Sequence, residues 1–244
     1  MDLGLLDTAF VFASVIALFN GLIHGYTGFG GALLMVPLLS LLYGPVDAIG
    51  MVGIAMICGS VQLYPAAARM AAWRELVPIF VGLAISIPIG AYLLFNLDSE
   101  IVRRVMGGFI LVFAVILMSG WVYRGPRGAV PSGLVGALGG IISGVSGVGG
   151  PPIALYYLAS PHSPDKQRAN IVISVTVMTI IVVVSIALGG GYSADILLRG
   201  LFLTPAYLAG IWMGAGLFAA MPKSYFRHAA LWVLVLTGIG VLFF

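Results

Sequence analysis

Residues Gly21–Gly31 read GLIHGYTGFGG, and residues Gly140–Gly150 read GIISGVSGVGG. Aligned at an offset of 119 positions, the two stretches match at 6 of 11 residues, and five of the matches are glycines. Each stretch places glycines and one small hydroxyl residue, Thr27 or Ser146, in an otherwise apolar run. A break of this kind inside a membrane is costly unless the freed backbone lines a buried cavity. Two breaks at matching places in two halves therefore indicate a transport site.

The composition is that of an integral membrane protein. The chain is 61% hydrophobic and 8% charged, whereas charged residues make up about a quarter of a typical soluble domain. The apolar runs are about 17–25 residues long and do not alternate, which predicts spanning helices and not barrel strands. In such a chain the net charge of +3 reflects its loops and does not indicate nucleic-acid binding.

The sequence predicts an all-α integral membrane protein built from two inverted repeats, each a broken-helix hairpin followed by three transmembrane helices. The first repeat covers residues 1–124, with a hairpin at 3–43 and spans at 48–68, 76–97 and 101–123. The second repeat covers residues 125–244, with a hairpin at 130–160 and spans at 170–188, 197–220 and 228–244. The boundary is the turn-rich segment RGPRG at residues 124–128.

The distribution of basic residues favours hairpins at both breaks. If the N-terminus is outside and each broken stretch enters and leaves on one face, eight Lys and Arg are cytoplasmic and three are outside. A single crossing at each break gives at best six against five. The positive-inside rule thus favours hairpins, inverted repeats and two periplasmic termini. Two arms that each cross fully give the same count, so the depth of the hairpin tips stays open.

Each hairpin aims the N-terminus of its short second helix into the membrane. A helix N-terminus has unsatisfied N–H groups and a partial positive charge of about half a unit. Glycine lets a ligand approach these groups closely, and Pro151 and Pro152 suit a first helical turn. Two facing N-termini would hold a small oxyanion. The alternative is that the glycines only allow close helix packing, as the spacing of Gly136, Gly140 and Gly144 suggests.

The candidate binding residues are those of the two breaks with one nearby histidine and one asparagine. They are His24, Thr27, Gly28, Phe29, Gly30, Gly31, Ser146, Gly147, Val148, Gly149, Gly150 and Asn170. His24 can donate to an anion, carry a coupled proton or act as a structural hydrogen-bonding group. Gln62 and Arg168 are candidates for a gate or for the point where the anion enters. A topology signal or headgroup anchor is the alternative for Arg168.

Several functional classes lack their residues in this sequence. No Asp or Glu lies in the middle of a predicted span, so a proton relay of buried carboxylates has no candidates. The sequence contains no HExxH and no Walker motif. We therefore predict a protein that is not an enzyme and needs no metal or other cofactor. Its expected partners are a small anion and the lipid bilayer, without nucleic acid, and a homodimer is compatible with the sequence.

The segments GYTGFGG at Gly25–Gly31 and GVSGVGGPP at Gly144–Pro152 resemble the glycine motifs of the sulfite exporter TauE/SafE family of bacterial transporters. The resemblance covers nearly the whole chain, and the stretch from Arg168 to Asn170 is similar as well. It implies export or exchange of sulfite, sulfoacetate or other organosulfonates across the bacterial inner membrane. We expect a secondary transporter that works by alternating access around the two glycine-rich tips. A passive small-anion channel is the alternative.

Overall fold

The computed structural model describes residues 8–119, 121 and 123–220, which form α-helices joined by short links, with no β-strand among them. The predicted all-helical class is thereby confirmed. The described helices are α1 (Thr8–Thr27), α2 (Met35–Tyr43), α3 (Pro45–Met70), α4 (Trp73–Asn96), α5 (Ser99–Met118), α6 (Ala129–Ser146), α7 (Gly150–Leu158), α8 (Pro164–Leu188) and α9 (Ala194–Ala220).

Six of these helices are long and apolar enough to cross a membrane: α1, α3, α4, α6, α8 and α9. The other three include α2 and α7, which have 9 residues each. At a rise of about 1.5 Å per residue they reach roughly 14 Å, about half of a hydrocarbon core. α5 occupies the place of the predicted span at 101–123 but ends at Met118. The predicted span at 228–244 lies outside the described residues.

Left-handed glycines end the long arm of each hairpin. α1 ends at Thr27 because Gly28 has a φ of 81°, and α6 ends at Ser146 because Gly147 has a φ of 70°. Glycine adopts this conformation without steric cost and is common just after a helix. Both arms are longer than the sequence predicted, since the glycines at positions 25 and 144 lie inside regular helix. The non-helical breaks shrink accordingly, to residues 28–34 and 147–149.

Glycines outside the breaks bring helices of the two halves into backbone contact. α1 packs mainly against α9, and α4 packs mainly against α6. A Cβ built on Gly25 would lie 2.2 Å from the carbonyl oxygen of Ile211, and one on Gly144 would lie 2.4 Å from that of Ile87. Only small residues allow helices to approach so closely. The four-residue spacing of glycines in α6 therefore serves helix packing.

The glycine contacts also give the helix directions. Gly21 faces Tyr207 and Gly25 faces Ile211, so α1 and α9 run parallel. Gly50 faces Ile196 and Gly59 faces Ile211, so α3 runs in this direction too. α4 and α6 are likewise parallel to each other, because Gly82 faces residues 133–137 and Gly90 faces residues 141–145.

Candidate functional site

The two glycine breaks meet inside the protein. We call Gly28–Gly31 the first tip and Gly147–Gly150 the second tip. Phe29, which is fully buried in the first tip, lies against the second, because a Cβ built on Gly150 would be 3.8 Å from the Cβ of Phe29. The fold thus brings together two segments that are 119 positions apart in the sequence.

Both tips lie beside the middle of a spanning helix. A Cβ on Gly31 would collide with the hydroxyl of Tyr207, which is the central residue of α9 (Ala194–Ala220). A Cβ on Gly150 would be 3.9 Å from a methyl carbon of Val175, one residue from the centre of α8 (Pro164–Leu188). Each tip also reaches the start of another long helix, because Gly28 faces Arg168, the fifth residue of α8, and Gly147 faces Ile49, the fifth residue of α3.

Several buried backbone donors at the tips are unpaired. In the described part of the chain, the N–H groups of Gly30 and Gly31 make no hydrogen bond, and neither do those of Gly149 and Gly150. These glycines are equivalent pairs at the offset of 119. Because buried backbone N–H groups are almost always paired in native structures, four free donors at two touching tips indicate a place for an acceptor.

The start of each short helix limits which donors are available. At the second tip, Pro151 and Pro152 have no N–H, so the donors nearest the turn are those of Gly149 and Gly150. At the first tip, a turn over residues 31–34 precedes α2. Its carbonyls accept hydrogen bonds from N–H groups in the first turn of α2, as the carbonyl of Ala32 does from Val36. The amide of Leu34 bonds Asn20 Oδ1 at 3.4 Å. The N–H groups of Ala32, Met35 and Ile153 also make no hydrogen bond with the described residues, so each tip combines glycine donors with those of the first turn of its short helix.

The two hydroxyl residues bond their own arms in this conformation. Thr27 Oγ1 lies 2.8 Å from the carbonyl oxygen of Ile23 and accepts from the N–H of Phe29 at 3.3 Å. Ser146 repeats the arrangement: its Oγ donates to the carbonyl of Ile142 at 2.7 Å and accepts from the N–H of Val148 at 3.4 Å. Each hydroxyl thus fastens the last turn of its arm to the tip.

His24 lies under the first tip and is only 2% exposed. Its Nδ1 is 2.5 Å from the hydroxyl oxygen of Tyr207, and a Cβ on Gly31 would be 2.8 Å from the same Nδ1. The His24–Tyr207 pair therefore supports the backbone of the tip from the α1–α9 interface. Tyr207 was not among the residues predicted from the sequence, although a tyrosine in the middle of an apolar span is the kind of polar group that has a partner in a membrane protein.

Arg168 holds the end of α1. Its Nε donates to the carbonyl of Tyr26 at 3.1 Å, its Nη2 donates to the carbonyl of Gly25, and its guanidinium lies 4.4 Å from the ring centre of Phe218. A cation at a helix C-terminus satisfies carbonyls that have no partner in the helix and interacts favourably with the dipole. In this conformation its donors therefore face protein carbonyls.

The side chains of Asn170 and Gln62 face parts of the protein other than the tips. Asn170 is fully buried, and its Oδ1 accepts the N–H of Ala72 in the α3–α4 link at 2.8 Å. Gln62 is exposed on α3. The structure therefore brings together the tip residues, with His24 beneath them, and leaves these two side chains elsewhere.

A small cavity lies next to the tips. It has a volume of about 20 Å³, and its wall includes Ala32, Ser143, Gly147 and Thr179. That volume is room for about one water molecule. Ser143 occupies the position that matches His24 in the other half. Among the described residues, no group of three or more His, Cys, Asp or Glu side chains could hold a metal ion.

Comparisons with known proteins agree with one another. The sequence model of the family described as "Sulfite exporter TauE/SafE" matches residues 13–241. The chain is 25% identical over 223 residues to a protein of Cupriavidus necator named "Probable sulfite/organosulfonate exporter TauE". The alignment covers 88% of this chain and 85% of the relative. No solved structure matches the chain.

Proposed function

Because the chain belongs to the sulfite exporter TauE/SafE family, we propose that it exports small sulfur-containing anions, sulfite or organosulfonates, by alternating access around the two tips. The name of the Cupriavidus necator relative supports this substrate class. The six apolar helices make the chain a multi-pass membrane protein, and we place it in the bacterial inner membrane with both termini in the periplasm.

One observation carries the proposal: the free N–H groups of Gly30, Gly31, Gly149 and Gly150 at two buried, touching tips. A sulfite or sulfonate group offers only acceptor oxygens, which match these donors. Sulfur oxyanions are larger than the cavity of about 20 Å³ beside the tips. An anion can therefore bind between the tips only after they move apart, which favours a carrier over an open channel.

The helix directions support an inverted-repeat arrangement. α1, α3 and α9 run one way, and α4 and α6 run parallel to each other. The α3–α4 link has only two residues, Ala71 and Ala72, so α4 runs opposite to α3. By the same reasoning α8 runs opposite to α9. Among the described long helices, α1, α3 and α4 then run opposite to their counterparts α6, α8 and α9, as expected if the tips enter from opposite faces.

The donor set predicts a modest affinity. Each net hydrogen bond contributes about 1 kcal/mol and each helix terminus contributes at most about 2 kcal/mol. After the costs of ordering and desolvation, a dissociation constant between about 1 μM and 1 mM is expected. An affinity in this range would let the anion leave on the other side of the membrane.

A binding and exchange experiment tests the proposal. Gly150→Ala adds a methyl group at the second tip, where the nearest atoms are 3.8 Å and 3.9 Å away, so the fold should tolerate it. Gly216→Ala is the matched control, because nothing lies within 4 Å of a Cβ at that helical position. We expect Gly150→Ala to weaken binding of sulfite or isethionate at least tenfold, or about 1.4 kcal/mol, with no change for the control.

Transport by the parent protein in proteoliposomes separates the two mechanisms. A carrier should show saturable sulfite flux that is stimulated by sulfite on the opposite side. Flux that rises linearly with concentration and is not stimulated in this way would establish the passive channel instead. Unchanged affinity in Gly150→Ala would show that the tips are not the binding site.

A further inference from the structure

A second group of unpaired donors lies between α7 and α8. The side chains of Tyr157, Asn170 and Ser174 are all fully buried. The Tyr157 hydroxyl, the Asn170 Nδ2 and the Ser174 Oγ make no hydrogen bond within the described part of the chain. Burying a polar group without a partner costs free energy, so three such groups in one place need an explanation.

The three donors are neighbours. Asn170 and Ser174 are one helical turn apart on α8 and share a face. α7 packs against α8, and the hydroxyls of Tyr157 and Ser174 are close enough to interact with each other, while neither has a hydrogen-bond partner elsewhere in the described chain. The Asn170 amide is oriented by its Oδ1, which accepts the N–H of Ala72 at 2.8 Å, so its Nδ2 is the free end.

The first half shows that the helix packing does not need these polar groups. At the offset of 119, Tyr157 matches Leu38, Asn170 matches Met51, and Ser174 matches Ala55. Met51 and Ala55 are fully buried apolar residues in α3. The equivalent packing of a short helix on a long one is thus made with apolar side chains in one half and with unpaired donors in the other.

We propose that Tyr157, Asn170 and Ser174 form a second binding station for the oxyanion group of the substrate. Three neutral donors suit the oxygens of a sulfite or sulfonate group, and they hold an anion without a fixed opposite charge that would slow its release. This inference rests on the proposed function, because it assumes that the protein moves such an anion.

The position of the station fits a route to the second tip. Tyr157 is seven residues after Gly150 on α7, which corresponds to about 10 Å along the helix. Beyond it, at the end of α7, the exposed Arg127 donates to the carbonyl of Tyr156 at 3.0 Å. Arg127 is cytoplasmic in the topology proposed above, so the station lies between the cytoplasmic rim and the tip. It opens to the substrate when α7 moves away from α8.

The test removes two hydroxyls and leaves the packing in place. The double variant Tyr157→Phe/Ser174→Ala deletes only oxygen atoms that have no partner, so its melting temperature should equal or exceed that of the parent. The matched control is Ser60→Ala/Tyr64→Phe, which removes the same two groups from α3, where Ser60 bonds Met56 in its own helix and Tyr64 is exposed. Tyr157→Phe alone serves if the double variant does not fold.

Binding of sulfite and isethionate to purified protein is then measured for the parent, both double variants and Gly150→Ala. We expect the dissociation constant to rise roughly tenfold for each hydroxyl removed from the station and to stay unchanged in the control. An unchanged constant in Tyr157→Phe/Ser174→Ala, with a weakened one in Gly150→Ala, would overturn the station and leave the tips. A weakened constant in Tyr157→Phe/Ser174→Ala, with an unchanged one in Gly150→Ala, would support the station and reject the tips. A parent that binds neither anion would overturn both.

Discussion

The Nδ1 of His24 in α1 lies 2.5 Å from the hydroxyl oxygen of Tyr207 in α9, although 183 positions separate the two residues. Both side chains are buried, and the backbone of Gly31 lies directly against them. The pair therefore joins the two halves of the chain immediately beneath the first tip. A shift of either side chain would therefore displace the backbone of Gly31 directly.

Tyr207→Phe should destabilise the protein through this contact. Removing the hydroxyl leaves a buried His24 nitrogen without its partner, which costs about 1–3 kcal/mol. For a chain of this size we expect the melting temperature to fall by several degrees. Thermal unfolding in detergent measures the effect, with Tyr64→Phe as the control, since Tyr64 is 40% exposed. Equal melting temperatures for the two variants would mean that the hydrogen bond contributes nothing.

Arg168→Lys should separate the structural and anion-binding roles of Arg168. Lysine keeps the charge but cannot reproduce the fork that holds the Gly25 and Tyr26 carbonyls. We expect a loss of about 1–2 kcal/mol in unfolding free energy, with Arg74→Lys, an exposed residue, as the control. If Arg168 instead attracts the anion by charge alone, Arg168→Lys will keep both the stability and the affinity of the parent.

Gly25→Ala should disrupt the contact between α1 and α9. The new methyl carbon would lie 2.2 Å from the carbonyl oxygen of Ile211, and backbone cannot move aside as a flexible side chain can. Overpacking of this kind costs about 1–3 kcal/mol or more. Folded yield and melting temperature are the readouts. Gly108→Ala, in open space on α5, is the control and should behave like the parent.

Cysteine labelling tests the topology. After Cys58→Ala removes the only native cysteine, single cysteines are placed by Asp98→Cys in the α4–α5 link and by Gly125→Cys between the halves. In intact spheroplasts, an impermeant thiol reagent should label position 98 and leave position 125 unlabelled until the membrane is broken. Labelling of position 125 but not of position 98 in intact spheroplasts would show that the chain has the opposite orientation in the membrane.

The helical class could be predicted from the sequence, but the directions in which side chains point could not. The glycine pattern located both breaks, because a left-handed residue after a helix is a local property of the chain. It made the breaks too long, over Gly21–Gly31 and Gly140–Gly150, because it could not distinguish the glycines at positions 25 and 144, which face another helix, from those at positions 28 and 147, which turn the chain.

The same limit applies to the candidate site. Thr27 was expected to offer its hydroxyl to a ligand, but the carbonyls of Ile23 and Phe29 are its acceptors in the structure. Gly149 was expected to leave room for an anion. Its Cβ direction points at the carbonyl of Gly139, 2.0 Å away, so a larger residue there would disturb α6 before it met a ligand. Tyr207 and Tyr157 were missed because their environment depends on helices distant in the sequence.

The backbone contact between α1 and α9 has a consequence for biosynthesis. His24 is inserted 183 residues before Tyr207 is made, and at 5–20 residues per second this delay is roughly 10 to 40 s. During that time α1 lies in the membrane without α9, so its glycine face, and the polar side chains Asn20 and His24, are not yet covered by that helix. A truncated protein that lacks α9 would leave that face of α1 permanently uncovered. Quality-control proteases therefore have a long interval in which to sample the nascent chain, and incomplete products should be cleared quickly.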